Sequence, residues 1–503
     1  MAETTDLLLG IDIGTASSKA VLASPDGAVV ADAAVEHGTS RPRPGWVEQD
    51  AEQVWWHDVV YLTRHLLAER DAGRVRAICV SGIGPVVLPA DGHGTPLRSA
   101  ILYGVDTRAV ELAAELEARL GADAVLERCG SRLSSQSAGP KVAWLARNEP
   151  ELYARTRHLF MASSYAVYRL TGAYVLDHHS ASQCPPLYDR HRQTWIDEWA
   201  EIVAPGLPLP ELRWPAEIAG AVTPAAAEQT GLHPGTPVAV GTIDAWAEAE
   251  SVDVREPGDV MIMYGSTMFF IAVTDEPVTH EHLWGTVGQH AGMHTLAGGM
   301  ASSGSITGWF REIAGGRPFE DLVAAADQVV PGSDGLLALP YFDGERTPFA
   351  DPHARGVLAG LTLRHGSGHI YRSLLEATAF GARHNLEEFA SVGVPLRRVV
   401  AVGGGTKADL WPRIVSDVTG RPQEVPTTMV GAAYGDTKLA AVATGLAGRG
   451  DRWNDVRDVV RPGQSSSVYE ELYTLYRRLH HSTSEVQHAL ARLSEGPCRM
   501  EVA

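Results

Sequence analysis

Two stretches about 250 residues apart share one pattern, and it constrains the fold more than any other feature of the chain. The first is LLLGIDIGTASSKAVLASPDG, Leu7 to Gly27: an apolar strand, a glycine, a run of hydroxyl residues, then a second apolar strand. The second is VMIMYGSTMFFIAV, Val260 to Val273, built the same way around Gly265-Ser266-Thr267. An ordinary tight hairpin needs only Asn-Gly or Asp-Gly. A longer glycine-hydroxyl turn gathers backbone N–H groups into an anion-binding concavity, for which phosphate is a candidate. Gly-Ser and Gly-Thr turns are common singly. As a pair, each opening one half of the chain, they predict two structurally related halves facing a cleft.

Length and charge set the outer limits. A chain of 503 residues is too long for one core, so two domains are expected. The formal net charge of −19 argues against a nucleic-acid or anionic-membrane surface. It leaves room for a nucleotide, which Mg²⁺ and backbone N–H groups can hold. Cys79, Cys129, Cys184 and Cys498 have no C-x-x-C spacing, so neither a zinc site nor a disulfide framework is expected. No apolar run approaches 18 residues and the start MAETTDLLLGIDIG lacks a basic leader, which reads as a soluble cytoplasmic protein.

Along the chain, Leu7–Ile11, Lys19–Ala23 and Ala28–Ala34 read as consecutive strands and Ala51–Glu69 as a helix. Ala77–Ser81 reads as a buried strand, and the pattern from Val105 to about Thr171 is mostly helical. A short strand at Val238–Val240 leads into a helical stretch opening with Asp244. A third glycine cluster, Gly403-Gly404-Gly405-Thr406-Lys407, joins the strand Val399–Val402 to a helix, a junction suited to close backbone approach by a ligand. It is not a Walker A loop, and Gly10 to Gly14 is not a dinucleotide fingerprint. In the last helical segment, about Ser467–Leu493, residues Leu472, Leu475, Leu479, Val486 and Leu490 are expected to form a packing face, with a disordered tail over 494–503. His178-His179 and His480-His481 lack metal-ligand partners at useful spacing.

Six segments, in order, resemble the FGGY family of carbohydrate kinases: GIDIGTASSKAVL, GWVEQDAEQVWW (Gly45–Trp56), GTIDAWAEA (Gly241–Ala249), YGSTMFF (Tyr264–Phe270), GERTPFADPHARGVLAGLTLRH (Gly344–His365) and GGGTKADLWPRIVSDVTGRP (Gly403–Pro422). The likeness runs from about residue 6 to about residue 480 and is nearest the xylulokinase-like branch. It implies an α/β, two-domain actin/hexokinase/Hsp70-like (ribonuclease H-like) fold, with duplicated domains around a nucleotide cleft. The expected division is residues 1–245, residues 246–493 and the tail.

The resemblance also implies roles. Gly14 and Thr15, with Gly265, Ser266 and Thr267, would face the ATP phosphates. Gly304 would bring backbone close to the nucleotide, or be a helix-entry glycine. Gly404 and Gly405 would line adenine and ribose, with Lys407 nearby or merely solvated. Asp12 would hold Mg²⁺ through water, or cap its own turn. Lys19 reads equally as a phosphate contact or an exposed strand lysine. Asp244 is the candidate general base for phosphoryl transfer to a hydroxyl; the plainer reading is a helix cap. In a first helical turn the dipole is expected to keep it ionised and weakly basic.

The sugar site departs from the family. Xylulokinases carry Met-His, and glycerol kinases Arg-Glu, after the strand matching Ala77–Ser81; here that loop is Gly82-Ile83-Gly84-Pro85-Val86. The family's W-x-D-x-R pattern becomes Tyr103-Gly104-Val105-Asp106-Thr107-Arg108. Gly84, Pro85, Tyr103, Asp106 and Arg108 are the candidate substrate contacts, and Asp106 with Arg108 reads equally as a structural ion pair. The implied partner is a small sugar or polyol, with no nucleic acid or membrane; a homodimer is the assembly considered. An actin-fold ATPase or regulatory protein that phosphorylates no sugar is the alternative. Asp244 separates the two, because only a kinase needs a carboxylate at the hydroxyl.

Overall fold

Seven residues, Leu7–Ile13, form strand β1, and all but Asp12 are buried. That burial on both faces is what an almost unbroken apolar run requires of a central strand. A computed structural model describes residues 6–463 and 466–495 of the chain. Strands β2 (Ser17–Ala23), β3 (Val29–Glu36), β4 (Val75–Gly82), β5 (Ile218–Ala221) and β6 (Pro237–Ala239) complete a six-stranded sheet in the order β5-β6-β4-β1-β2-β3. β1 pairs antiparallel with β2 and parallel with β4. β2 and β3 pair antiparallel, β6 lies parallel to β4, and β5 is antiparallel to β6.

A second sheet repeats this plan. Strands β7 (Asp259–Tyr264), β8 (Met268–Thr274), β9 (His294–Met300), β10 (Arg398–Val402), β11 (Gln423–Pro426) and β12 (Val456–Val460) follow one another in the order β9-β8-β7-β10-β11-β12. β7 is antiparallel to β8 and parallel to β10. β11 is parallel to β10, and β12 antiparallel to β11. Each glycine-hydroxyl turn therefore joins the central strand of a sheet to its antiparallel neighbour, at equivalent places in two copies of one topology.

The chain separates into two compact units. One holds the residues up to Arg255, Thr274–Thr295 and Val430–Asp455; the other holds Glu256–Val273, Leu296–Met429 and the described residues from Val456 on. The compact units do not follow one cut along the sequence: the chain leaves the first unit at Arg255 and returns to it twice. The physical reason for one return is visible in the helix Ala432–Ala443. A Cβ on Gly10 of β1 would lie 2.0 Å from the Ala433 carbonyl, and a Cβ on Gly435 would lie 1.8 Å from the Ala247 carbonyl. Two glycines thus let this helix lie directly on β1 and on the helix Asp244–Ser251.

The expected helix at Ala51–Glu69 begins as a π-helical turn, Ala51–Trp56, capped by Asp50, and continues as the α-helix His57–Leu67. The expected packing face of the last helix, Ser466–Glu495, is corrected: Leu475, Val486 and Leu490 are exposed, and Tyr469, Tyr473, Tyr476, Gln487 and Ala491 are buried. The tyrosines win because each carries a ring to bury and a hydroxyl with a partner. Tyr469 Oη donates to Glu376 at 2.9 Å, Tyr473 Oη to Glu387 at 2.6 Å, and Tyr476 Oη lies 2.6 Å from Tyr341 Oη. The helix runs through 494 and 495 of the expected tail; residues 496–503, with Cys498, lie outside the described residues. Cys79, Cys129 and Cys184 are buried free thiols. Among the described residues, no helix is long and apolar enough to cross a membrane.

Candidate active site

In the first unit the turn Gly14-Thr15-Ala16 is shaped from behind. The Gly14 N–H bonds Ser17 O at 3.0 Å and closes the turn. The Gly14 carbonyl lies 2.9 Å from His37 Nε2, the Thr15 carbonyl accepts from Gln49 Nε2 at 3.0 Å, and the Ala16 carbonyl accepts from His37 N at 3.0 Å. Gln49 is itself fixed, because its Oε1 accepts from Trp55 Nε1 at 2.8 Å. All three carbonyls are thus engaged, while the N–H groups of Thr15 and Ala16 meet no acceptor among the described residues. That is the polarity an anion needs.

In the second unit Gly265 N–H bonds Thr267 O at 3.1 Å. The carbonyls of this turn are also engaged: Gly304 N–H donates to Gly265 O, and the Ser303 and Ser305 N–H groups both donate to Ser266 O, each at 3.0 Å. The donors here come from the start of the helix Gly304–Ile313. Gly304 is the residue that permits it, since a Cβ there would stand 2.5 Å from Gly265 O. Of the third cluster, Gly404 and Lys407 are exposed and Gly404 has open space around it; a Cβ on Gly405 would meet the Trp411 ring at 2.8 Å. Gly405 is therefore required by packing, whatever else it touches.

Four carboxyl groups of the first unit influence one another: Asp12 at the end of β1, Asp244 and Glu248 one turn apart on one helix, and Asp436 on the helix above them. Burial pushes Asp12 up to about 6, against the pull of Lys19 and His37. Burial, then the charges of Asp12 and Glu248, hold Asp244 well above the usual carboxylate range. The expected dipole-stabilised, weakly basic Asp244 is therefore corrected, because desolvation and like charges outweigh a first-turn N-terminus. Burial and Asp12 raise Glu248 to about 7. Burial also raises Asp436 well above its ordinary value, although it accepts from Ser81 Oγ at 2.6 Å and Ser81 N at 3.1 Å. Asp12, Asp244 and Glu248 keep partial exposure, so they line a surface that a ligand can reach. Lys19 is exposed, directly across the β1–β2 ladder from Asp12.

The loop after β4 is fastened to the start of the Asp244 helix. Gly82 N–H donates to Thr242 O at 3.2 Å, and a Cβ on Gly84 would lie 2.5 Å from Ile243 Cγ1. Pro85 is buried. Tyr103 reaches the phosphate-type turn, its Oη 3.2 Å from Thr15 Oγ1. Asp106 and Arg108 form the ion pair: Arg108 Nη2 lies 2.6 Å from Asp106 and 2.8 Å from Glu48, and its guanidinium stacks 3.8 Å over Trp46. Asp106 also accepts from Val47 N at 2.7 Å. Arg108 Nη1 is buried without a partner among the described residues.

Sequence reading passed over His37, Gln49, Glu248 and Asp436. Glu248 follows Asp244 by four residues in a helical stretch, and Asp436 interrupts an apolar helix, so both left a signal. His37 left none.

Residues 7–249 match the N-terminal domain, and residues 260–444 the C-terminal domain, of the FGGY family of carbohydrate kinases. A xylulose kinase of Escherichia coli (strain K12) is 28% identical over 453 residues, covering 87% of this chain and 90% of its own. A glycerol kinase of Gloeobacter violaceus is 30% identical over 490 residues, covering 93% of each. The crystal structure of a xylulose kinase from Rhodospirillum rubrum superposes with a TM-score of 0.87 at 30% identity, over 96% of this chain and all of that one.

Proposed function

The chain belongs to the FGGY family of carbohydrate kinases, enzymes that phosphorylate a sugar or polyol with ATP, and from that premise we propose that it acts on a linear ketose or polyol of the ketopentose type, with Asp244 as general base. One observation carries the assignment of the base. Asp244 Oδ1 accepts from the Ala245 N–H at 2.7 Å, which leaves Oδ2 without a hydrogen bond among the described residues, on a side chain that is only partly buried. A carboxylate raised by burial and like charge is a better proton acceptor than an ordinary one. As a substrate hydroxyl attacks the γ-phosphorus, its proton passes to the Asp244 carboxylate, the bond from that phosphorus to the bridging oxygen breaks, and ADP leaves. Gly14-Thr15 is the phosphate-type turn of the first unit, and Gly265-Ser266-Thr267 that of the second. Gly404, Gly405 and Lys407 lie on the adenosine side, and the chain works in the cytoplasm.

Mg²⁺ fits the residues present. Asp12 Oδ1 is buried without a partner, and burial alone opposes its ionisation. A lone unpartnered carboxylate oxygen of this kind suits a cation held by one or two carboxylates and its own waters. Asp12 would hold it, and it would offset charge on the transferred phosphoryl group.

The substrate reading rests on the loop Gly82–Val86, which carries no polar side chain and is packed against Ile243. Tyr103 then supplies a side-chain hydroxyl beside the Gly14-Thr15-Ala16 turn, while Asp106 and Arg108, bonded to each other, to Val47 N and to Glu48, act as a structural pair rather than both holding the sugar. A site lacking a paired hydrogen-bond partner discriminates weakly. The test is kcat/KM measured side by side over ketopentoses, tetruloses, polyols and sugar acids. A linear ketose or polyol of about four to six carbons is expected to lead, with D-xylulose at least about tenfold lower. D-xylulose as the best substrate would overturn this reading.

A further inference from the structure

The ring of His37 stands between two acceptors. Nδ1 lies 2.7 Å from Asp58 Oδ2, and Nε2 lies 2.9 Å from the Gly14 carbonyl. A neutral imidazole can donate from one nitrogen only, and neither partner can donate back: one is a backbone carbonyl, the other a carboxylate. Both bonds exist together only when the ring is an imidazolium. Asp58 is prepared to stay ionised, because its Oδ2 also accepts from Ser18 Oγ at 2.8 Å and its Oδ1 lies 3.2 Å from His57 Nδ1.

We infer that His37 is a positioning residue for the nucleotide: a cation held by Asp58 against the back of the Gly14-Thr15-Ala16 turn, fixing its carbonyls away from the ligand and adding positive charge behind its N–H groups. This rests on the ATP-kinase reading of that turn. His37 grips the turn twice, through its ring on Gly14 O and through its own backbone N–H on Ala16 O. The charged groups that face it are Asp58 from the helix His57–Leu67, with His57 on the far oxygen of that carboxylate, and Asp12 from β1. Although burial opposes it, the bonds to Asp58 and Gly14 and the charges of Asp58 and Asp12 raise the ring above the ordinary histidine value. The same bonds, against burial, lower Asp58. The side chains of the pair are 8% and 4% exposed, so bulk water does not replace either bond.

The test compares MgATP with adenosine, which has no phosphate for the turn to hold, by calorimetry on the full chain. His37→Gln keeps one donor but no charge; it is expected to weaken MgATP roughly tenfold and leave adenosine unchanged. Asp58→Asn is expected to do the same, and the double variant to be no worse than either, since both break one unit. Comparing pH profiles tests the charge directly. As pH rises above the ordinary histidine range, MgATP affinity should fall more steeply in wild type than in His37→Gln as the ring loses its proton, and adenosine affinity should not fall. Equal losses for MgATP and adenosine in His37→Gln, or unchanged MgATP affinity in that variant, would overturn the inference. So would a wild-type pH dependence of MgATP affinity no steeper than that of His37→Gln. A wild-type chain that binds no MgATP at all would remove the kinase reading, and this inference with it.

Discussion

Tyr103 Oη lies 3.2 Å from Thr15 Oγ1, so the loop proposed to meet the sugar touches the turn proposed to meet the phosphates within a single unit. The contact spans 88 residues of sequence and ties two motifs that look independent when read along the chain. Losing one neutral hydrogen bond costs about 1 kcal/mol, or roughly fivefold in an equilibrium. Tyr103→Phe is therefore expected to raise KM for MgATP and for the sugar together by roughly that factor. Steady-state kinetics with each substrate varied in turn checks it. A rise confined to the sugar would show that the contact with Thr15 is idle.

Lys438 is buried in a knot of charge, 3.0 Å from Glu250 Oε1 and 2.5 Å from Asp253 Oδ1, while His290 Nε2 sits 2.9 Å from Glu250 Oε2. It ties the helix Ala432–Ala443 to the helix that begins with Asp244. Removing one partner of a buried pair leaves an uncompensated charge, which costs about 3–5 kcal/mol. Lys438→Met should lose stability on that scale, read as a lower midpoint in denaturant with an unchanged slope. Glu250→Gln in the same background should restore part of it, because one stranded carboxylate is removed.

Glu345 offers a pH test in the second unit. Its Oε1 accepts from Ala301 N at 2.7 Å and Arg346 N at 2.8 Å, yet burial pushes its carboxyl up to about 8. A folded carboxyl that binds its proton more tightly than the unfolded one makes stability fall as pH rises, from the ordinary glutamate range up to about 8, and level off above. Glu345→Gln keeps the acceptor and removes the ionisation. The variant should be flatter than wild type between pH 5 and 8 in thermal or denaturant unfolding, and gain on it most at pH 8 and above. Parallel curves would show that Glu345 is ionised in the folded protein without cost.

The duplicated topology was legible because each turn is local: strand, glycine, hydroxyls and strand sit in about 15 consecutive residues, and the sheets place the turns equivalently. Asp244 was legible from its motif and its place at the head of a helix. Its environment was not, because Asp12 arrives from a strand more than 200 residues earlier. His37 was invisible for the same reason: its meaning lies in Gly14 and Asp58, which only the fold brings to its two nitrogens. The leucines of the last helix misled because periodicity shows which residues share a face, not which face is covered. Tyr469, Tyr473 and Tyr476 share another face, and their hydroxyls find partners there. The returns of the chain to the first unit were not legible, because they depend on a helix near the end of the second family domain packing back onto β1 through Gly10 and Gly435.

The most direct measurement pairs ADP release with MgATP binding in wild type and Asp244→Asn. Wild type is expected to release ADP only slowly until a ketose or polyol is added, then at a sugar-stimulated rate. Asp244→Asn should keep near-normal MgATP affinity while kcat falls by a factor of roughly 10² or more, the scale of a lost general base. ADP release that ignores every sugar offered, or an Asp244→Asn enzyme with near-normal kcat on its best substrate, would contradict the account.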